Sequence, residues 1–455
     1  MRERTTYAAH ARALLVLGLP LIGSNLAQMA LHVTDTVMVG WYGVTELAAV
    51  VLGASTFFIL FILGSGFAQA VMPMVASALG RGDETQVRRD TRMGLWLSIL
   101  YGVAIYPVMF WSGPILLALG QEEAVAALAQ DYLRIAGAGM VAALLVMALK
   151  SYLSALERAG VVLWATLAGV VLNIALNWAL IFGNWGAPEL GVKGAAIASV
   201  ATQVLTLAVM VLYAEFHPAL RRFHLFQRFW RPDWPAFHQV YRLGWPIGLT
   251  GLFEGGLFEA AALMMGWIGT MELAAHGIAL ELSAITFMAH LGLSNAATVR
   301  VGRAQGMGDL VALKDGAVTA IGLSLSVAVV VVVIFLTVPE PMIRLFLDPA
   351  NPQAPAITAY AATLLAVAAL FQLADSAQVM ALGLLRGVQD TRVPMVIASV
   401  SYWLTGIPAS YALAFPLGLG GTGLWLGLVV GLAVAAILLM ARFWGRWGKD
   451  AVCAA

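Results

Sequence analysis

GLPLIGSNLAQMALHVTDTVMVGW, residues Gly18–Trp41, returns 226 positions later as GWPIGLTGLFEGGLFEAAALMMGW, residues Gly244–Trp267. Gly18-Leu-Pro20 falls on Gly244-Trp-Pro246, and Met38-Val-Gly-Trp41 on Met264-Met-Gly-Trp267. The same offset sets Glu46-Leu-Ala-Ala49 on Glu272-Leu-Ala-Ala275 and Gly80-Arg-Gly-Asp83 on Gly306-Met-Gly-Asp309, with no gap. Further on, Leu190-Gly-Val-Lys-Gly194 pairs with Leu419-Gly-Gly-Thr-Gly423 at a slightly different shift. Shared membrane composition would match small residues, but not four ungapped segments at one offset. The chain is read as a duplication.

The solvent of both copies is set by composition. Of 455 residues, 61% are hydrophobic and 11% charged, a balance that in water would expose large apolar patches. Stretches able to cross about 30 Å of hydrocarbon lie near 13–40, 46–78, 93–118, 131–154, 161–183 and 190–213. A second set lies near 242–268, 272–299, 316–338, 355–384, 394–416 and 422–444. The expected fold is an all-α integral membrane protein of about twelve transmembrane helices. Its domains are a six-helix lobe over 1–213, a linker over 214–240 and a second six-helix lobe over 241–455. Six spans separate the copies, so both enter the membrane in the same direction. Parallel repeats of this kind are related by a pseudo-two-fold axis along the membrane normal, with a cavity between the halves.

Basic residues set the orientation, because cytoplasmic loops collect Lys and Arg. The connections after odd-numbered spans carry Arg134, Lys193 and Arg344. The other side carries Arg81, Arg88, Arg89 and Arg92, then Arg221, Arg222, Arg228 and Arg231, then Arg300, Arg303 and Lys314, then Arg386 and Arg392, and last Arg442, Arg446 and Lys449. Both termini are expected in the cytoplasm, with the chain multi-pass in a bacterial-type inner membrane. Arg2, Arg4 and Arg12 imitate the start of a signal peptide, but the apolar run after them continues into a polar helical stripe and reads as a retained span. The basic clusters read as anchors at lipid headgroups. A net charge of +1 gives nucleic acid no footprint, and the single Cys453 excludes an internal disulfide framework.

Acids at membrane depth are the informative residues: Asp35, Glu254, Glu259, Glu281 and Asp375. A lone charge there costs several kcal/mol, so each needs a polar interior or a partner. Asp35 continues a stripe of Ser24, Gln28 and His32 along one helix face. Glu254 has Thr250 one turn before it, and Asp375 shares a face with Gln372 and Ser376. Two carboxylates in one dry pocket cannot both stay ionised, so a proton or a metal cation must sit between them. Exchange of that cation supplies a coupling mechanism. Glu259 and Glu281 suit a structural and a transport role equally. Asn173 and Asn177, one turn apart, suit cation coordination and helix adhesion equally. His276 reads first as a hydrogen-bonding partner within a face it shares with Ser283 and His290.

His32-Val-Thr-Asp35-Thr-Val-Met38, Leu252-Phe-Glu254, Ala274-Ala-His276 and Leu385-Arg-Gly-Val-Gln-Asp390 resemble the multidrug and toxic compound extrusion (MATE) family, in its NorM-like branch. The likeness covers nearly the whole chain. It implies two six-helix lobes in a V around a central cavity, and antiport of organic cations against Na+ or H+. The resemblance puts Asp35, Glu254 and Asp375 at the branch's cation-coupling acids in the first, seventh and tenth helices, and Asn173 and Asn177 at its asparagine pair. Further expected contacts to cation or substrate are Gln28, His32, Phe371, Gln372, Glu281 and His276. Phe371 stands where relatives can carry a tyrosine, so the ring face remains to attract a cation and the hydroxyl does not.

Expected partners are small organic cations and drugs together with membrane lipids, with no nucleic acid, and the protein is expected to be a monomer. No cofactor is expected beyond the coupling ion, and no metal beyond Na+ at Glu254 and Asp375. The alternative is a lipid-linked saccharide flippase of related architecture, which would want a basic cavity, whereas the assigned spans read as nearly free of Arg and Lys. No HExxH, glycine-flanked nucleophilic serine or dinucleotide fingerprint points to an enzyme.

Overall fold

The computed structural model describes residues 6–348 and 352–448; Arg2, Arg4, Lys449 and Cys453 lie outside them. The first copy builds helices α1 (Tyr7–Tyr42), α2 (Val44–Arg81), α3 (Glu84–Phe110), α4 (Ser112–Ala118), α5 (Glu123–Ala138), α6 (Met140–Ala155), α7 (Ala159–Phe182) and α8 (Val192–Phe216). A short α9 (Pro218–Arg221) follows. The second copy builds α10 (Trp234–Ile268), α11 (Thr270–Met307), α12 (Leu310–Thr337), α13 (Pro339–Arg344), α14 (Ala354–Gly387), α15 (Arg392–Ser399), α16 (Ile407–Ala414) and α17 (Gly420–Phe443). Eleven helices, with α15 and α16 joined as one, are long and apolar enough to cross a bilayer, and α5 with α6, bent by 46° between them, completes a twelfth span. The protein is an all-α multi-pass membrane protein, without a strand among the described residues.

The duplication is visible in the helix ends. Gly82 closes α2 at φ 73° and Gly308 closes α11 at φ 68°, the left-handed conformation that glycine adopts without a Cβ penalty. Asp83 and Asp309, the next residues, cap α3 and α12 by accepting from the Gln86 and Ala312 backbone N–H groups, each at 2.9 Å. All four positions keep the offset read from the sequence.

Packing divides the chain into two compact units, Gly23–Leu249 and Met1–Ile22 with Thr250–Ala455. The start of α10 packs with the first copy and the start of α1 with the second. Glycines explain why. In one unit a Cβ on Gly66 of α2 would lie 2.4 Å from the Gly244 carbonyl oxygen and the Gly248 nitrogen of α10. In the other, a Cβ on Gly292 of α11 would lie 2.8 Å from the Ile22 nitrogen of α1. Backbones touch at both places because no side chain intervenes, and the two contacts occupy equivalent positions of the repeat.

Residues 222–233, between α9 and α10, lie on α3. Trp96 Nε1 donates to the Phe229 carbonyl at 2.9 Å, Arg92 Nη1 to the Arg228 carbonyl at 3.1 Å, and Arg89 pairs with Asp233. Arg89 pulls the Asp233 carboxyl below its ordinary value by hydrogen bonding, against a smaller opposing effect of burial.

Candidate functional site

Polar side chains at membrane depth gather in two places, one in each unit. In the Gly23–Leu249 unit, Asp35 is 7% exposed and both its oxygens are engaged. Oδ1 accepts from Asn177 Nδ2 at 2.6 Å and Oδ2 from Ser199 Oγ at 2.7 Å. Asn177 Nδ2 also reaches Asn173 Oδ1 at 3.1 Å. The helical spacing of Asn173 and Asn177 puts both amides on the α7 face that meets α1, and Ser199 arrives from α8. Asn173 Nδ2 and Asn177 Oδ1 remain buried without a partner, so a donor and an acceptor are left beside the carboxylate.

Of the rest of the α1 stripe, His32 lies within electrostatic range of Asp35, whereas Ser24 and Gln28 turn to other partners. Ser24 Oγ meets Thr166 Oγ1 of α7 at 3.2 Å. Gln28 accepts from the buried Lys150 of α6 at 3.3 Å, and Asn25, its neighbour on the helix, accepts from the same ammonium at 2.7 Å. His32 is exposed. Lys150 corrects the reading of the spans as nearly free of cations: it lies inside α6, 4% exposed. Its signal was legible, since a single lysine within a 16-residue apolar helix breaks the rule that singles out the acids.

In the other unit, Glu254 of α10 and Asp375 of α14 are close enough for the Glu254 charge to act on Asp375. Glu254 Oε1 and Asp375 Oδ1 are buried and accept no hydrogen bond. The Gln378 amide reaches both the Glu254 carboxylate and Tyr402 Oη, and Arg386 lies within electrostatic range of Glu254. Gln372, fully buried, makes no hydrogen bond through either amide atom. Tyr402 sits in a π-helical turn, Val400–Gly406, that joins α15 to α16; such turns recur at functional sites. Sequence reasoning missed Gln378, Tyr402 and Arg386. Gln378 stands three residues past Asp375 and was open to the same face argument, whereas Tyr402 reads as ordinary packing until the tertiary fold brings it alongside.

His276, Phe371 and Trp425 form an aromatic wall in this unit. Trp425 Nε1 donates to His276 Nδ1 at 3.1 Å, and the Phe371 ring stands edge-on to Trp425 at 5.3 Å. Glu259 is exposed on α10 and Glu281 half-buried on α11.

Among the described residues no three of His, Cys, Asp and Glu cluster as metal ligands. Two carboxylates beside amide oxygens are hard oxygen donors, suited to a proton or a hard cation and not to a thiophilic metal. Eleven or twelve apolar spans, with acids buried in each unit, define a multi-pass membrane transporter. The MatE family profile matches residues 20–179 and 246–412, and the chain belongs to the MatE family. It is 50% identical over 438 residues to the "Probable multidrug resistance protein NorM" of Rhizobium meliloti (strain 1021), covering 96% of this chain and 94% of that protein. The protein of the same name from Agrobacterium fabrum (strain C58) is 46% identical over the same shares of each chain. Among solved structures, a MATE protein crystallised in complex with MaL6 superposes with a TM-score of 0.88 at 21% identity, over 97% of both chains. A MOP superfamily transporter from Pyrococcus furiosus superposes at 0.86 and 22% identity, over 97% of this chain and 96% of that one.

Proposed function

We propose that this protein is a multidrug efflux antiporter, exporting organic cations in exchange for Na+ or H+ by alternating access. One observation carries the reading: Glu254 and Asp375 sit together at membrane depth, each with a carboxylate oxygen that no protein donor satisfies. Two such groups cannot both stay charged without a cation. Arg386 supplies one positive charge near Glu254, which leaves one negative charge for a mobile cation to neutralise. Asp35, with its free asparagine groups, serves the same purpose in the other unit. The names of the NorM relatives support drugs as the cargo. The protein acts as a monomer in the inner membrane with both termini in the cytoplasm.

The flippase reading asks for a basic cavity able to hold pyrophosphate. Lys150 is engaged by two amide oxygens and Arg386 lies near Glu254, so neither stands free for a polyphosphate. The deciding experiment is efflux of one fluorescent cation from vesicles under an imposed Na+ gradient, then a proton gradient. Glu254→Gln and Asp375→Asn are each expected to abolish ion-dependent efflux in a folded protein; efflux surviving both changes would overturn the proposal.

A further inference from the structure

The acids of the Thr250–Ala455 unit accept a proton or a metal cation alike, so any discrimination must come from what surrounds them. Gln378 is fully buried, 0% exposed, on α14 one turn beyond Asp375. Its Nε2 donates to Tyr402 Oη and its amide lies within hydrogen-bonding reach of the Glu254 carboxylate. That arrangement uses the nitrogen end of the amide and leaves Oε1 buried with no donor. One oxygen of Glu254 and one of Asp375 are likewise without donors. A buried amide oxygen lacking a hydrogen bond is destabilising, and that penalty is removed when a cation fills the gap.

We infer that Gln378, oriented by Tyr402, is a third oxygen ligand of the coupling cation alongside Glu254 and Asp375, and that it selects Na+ over a proton. The inference rests on the coupling role proposed for the two acids. The chemistry of the amide supplies the selectivity. A carboxylate oxygen binds a proton or a sodium ion, but a neutral amide oxygen holds no proton near neutral pH and still presents two lone pairs to a hard cation. Two acceptors fix the choice of end: the ionised Glu254 carboxylate has no proton to give and so takes the amide nitrogen, Tyr402 Oη accepts from the same nitrogen, and the oxygen is the atom left for the cation.

The test uses the purified full-length protein in detergent, with its thermal unfolding midpoint followed during titration with NaCl and, at matched ionic strength, N-methylglucamine chloride. Na+ is expected to stabilise the unaltered protein where N-methylglucamine does not. Gln378→Met removes the amide at similar length and is expected to raise the half-saturating Na+ concentration at least tenfold. Gln378→Glu restores an oxygen and is expected to keep it within threefold. Tyr402→Phe frees the amide to turn and is expected to weaken Na+ binding by a smaller factor. A Gln378→Met protein with half-saturation within twofold of the unaltered one overturns the inference, and so does the absence of any Na+-specific stabilisation. Should Gln378→Met not fold, Tyr402→Phe binding Na+ with unchanged affinity overturns the inference as well. Vesicle efflux separates the two layers. If Glu254→Gln and Asp375→Asn both abolish efflux while Na+ binding ignores Gln378, the inference alone fails; if both variants keep efflux, the coupling role fails with it.

Discussion

Lys150 Nζ donates to Asn25 Oδ1 at 2.7 Å across the α6–α1 contact, and its second acceptor, Gln28, is equally neutral. A buried ammonium held by amides alone has lost its hydration without gaining an opposite charge. Replacing the lysine with an apolar residue of similar length, Lys150→Met, is expected to change stability by less than about 2 kcal/mol. Removing its acceptor, Asn25→Leu, strands the charge and is expected to cost about 3 kcal/mol or more. Thermal melts of both variants in one detergent check the order.

Asp35 separates stability from transport. Asp35→Asn keeps the shape of the side chain and is expected to fold while losing at least tenfold in ion-dependent efflux. Ser199→Ala removes one charge-assisted bond to the carboxylate, worth about 1.5–3 kcal/mol. That variant should melt lower and still transport, as measured by vesicle efflux alongside the melt.

The ion pair of Asp233 with Arg89 gives stability its pH dependence at the loop before α10. Arg89 donates through Nη2 to Oδ1 at 3.0 Å, and the Ala236 backbone N–H donates to the same oxygen at 3.3 Å. These bonds hold the carboxyl below its ordinary value of 3.8. A depressed folded-state value contributes stability that is fully present above the unfolded value and lost as pH falls through the folded one. The unaltered protein should therefore melt above Asp233→Asn at neutral pH, with the gap closing only as the pH drops below 3.8. A gap constant down to that region would contradict the assignment.

Glycine positions divide sharply by what a methyl group would meet. A Cβ on Gly427 would lie 2.2 Å from Ser410 Cα where α16 crosses α17, whereas nothing lies within 4 Å of one on Gly322. Gly427→Ala must push two backbones apart and is expected to cost more than about 3 kcal/mol, in the range of severe overpacking. Gly322→Ala, inside α12 with open space around it, is expected to be neutral or to stabilise by about 0.5–1 kcal/mol. Expression yield and melting temperature in detergent distinguish the pair.

Residue chemistry and periodicity alone determined that this chain lives in a bilayer, that it is an all-α protein of about twelve spans built from two copies, and that Asp35, Glu254 and Asp375 need explaining. Those conclusions are local: apolar run length, helical spacing and the cost of a charge in hydrocarbon are properties of a segment, and the shared offset is a property of the string. Tertiary structure decided which groups meet. It gave Asp35 two donors and left an oxygen of Glu254 and of Asp375 with none, and it turned Gln28 toward Lys150 and away from Asp35. It also exchanged the starts of α1 and α10 between the two compact units and brought Gln378, Tyr402 and Arg386 to the acids. Each of these depends on distances between residues far apart along the chain, which are fixed by how glycine-lined helix faces pack, and no helix carries that information by itself.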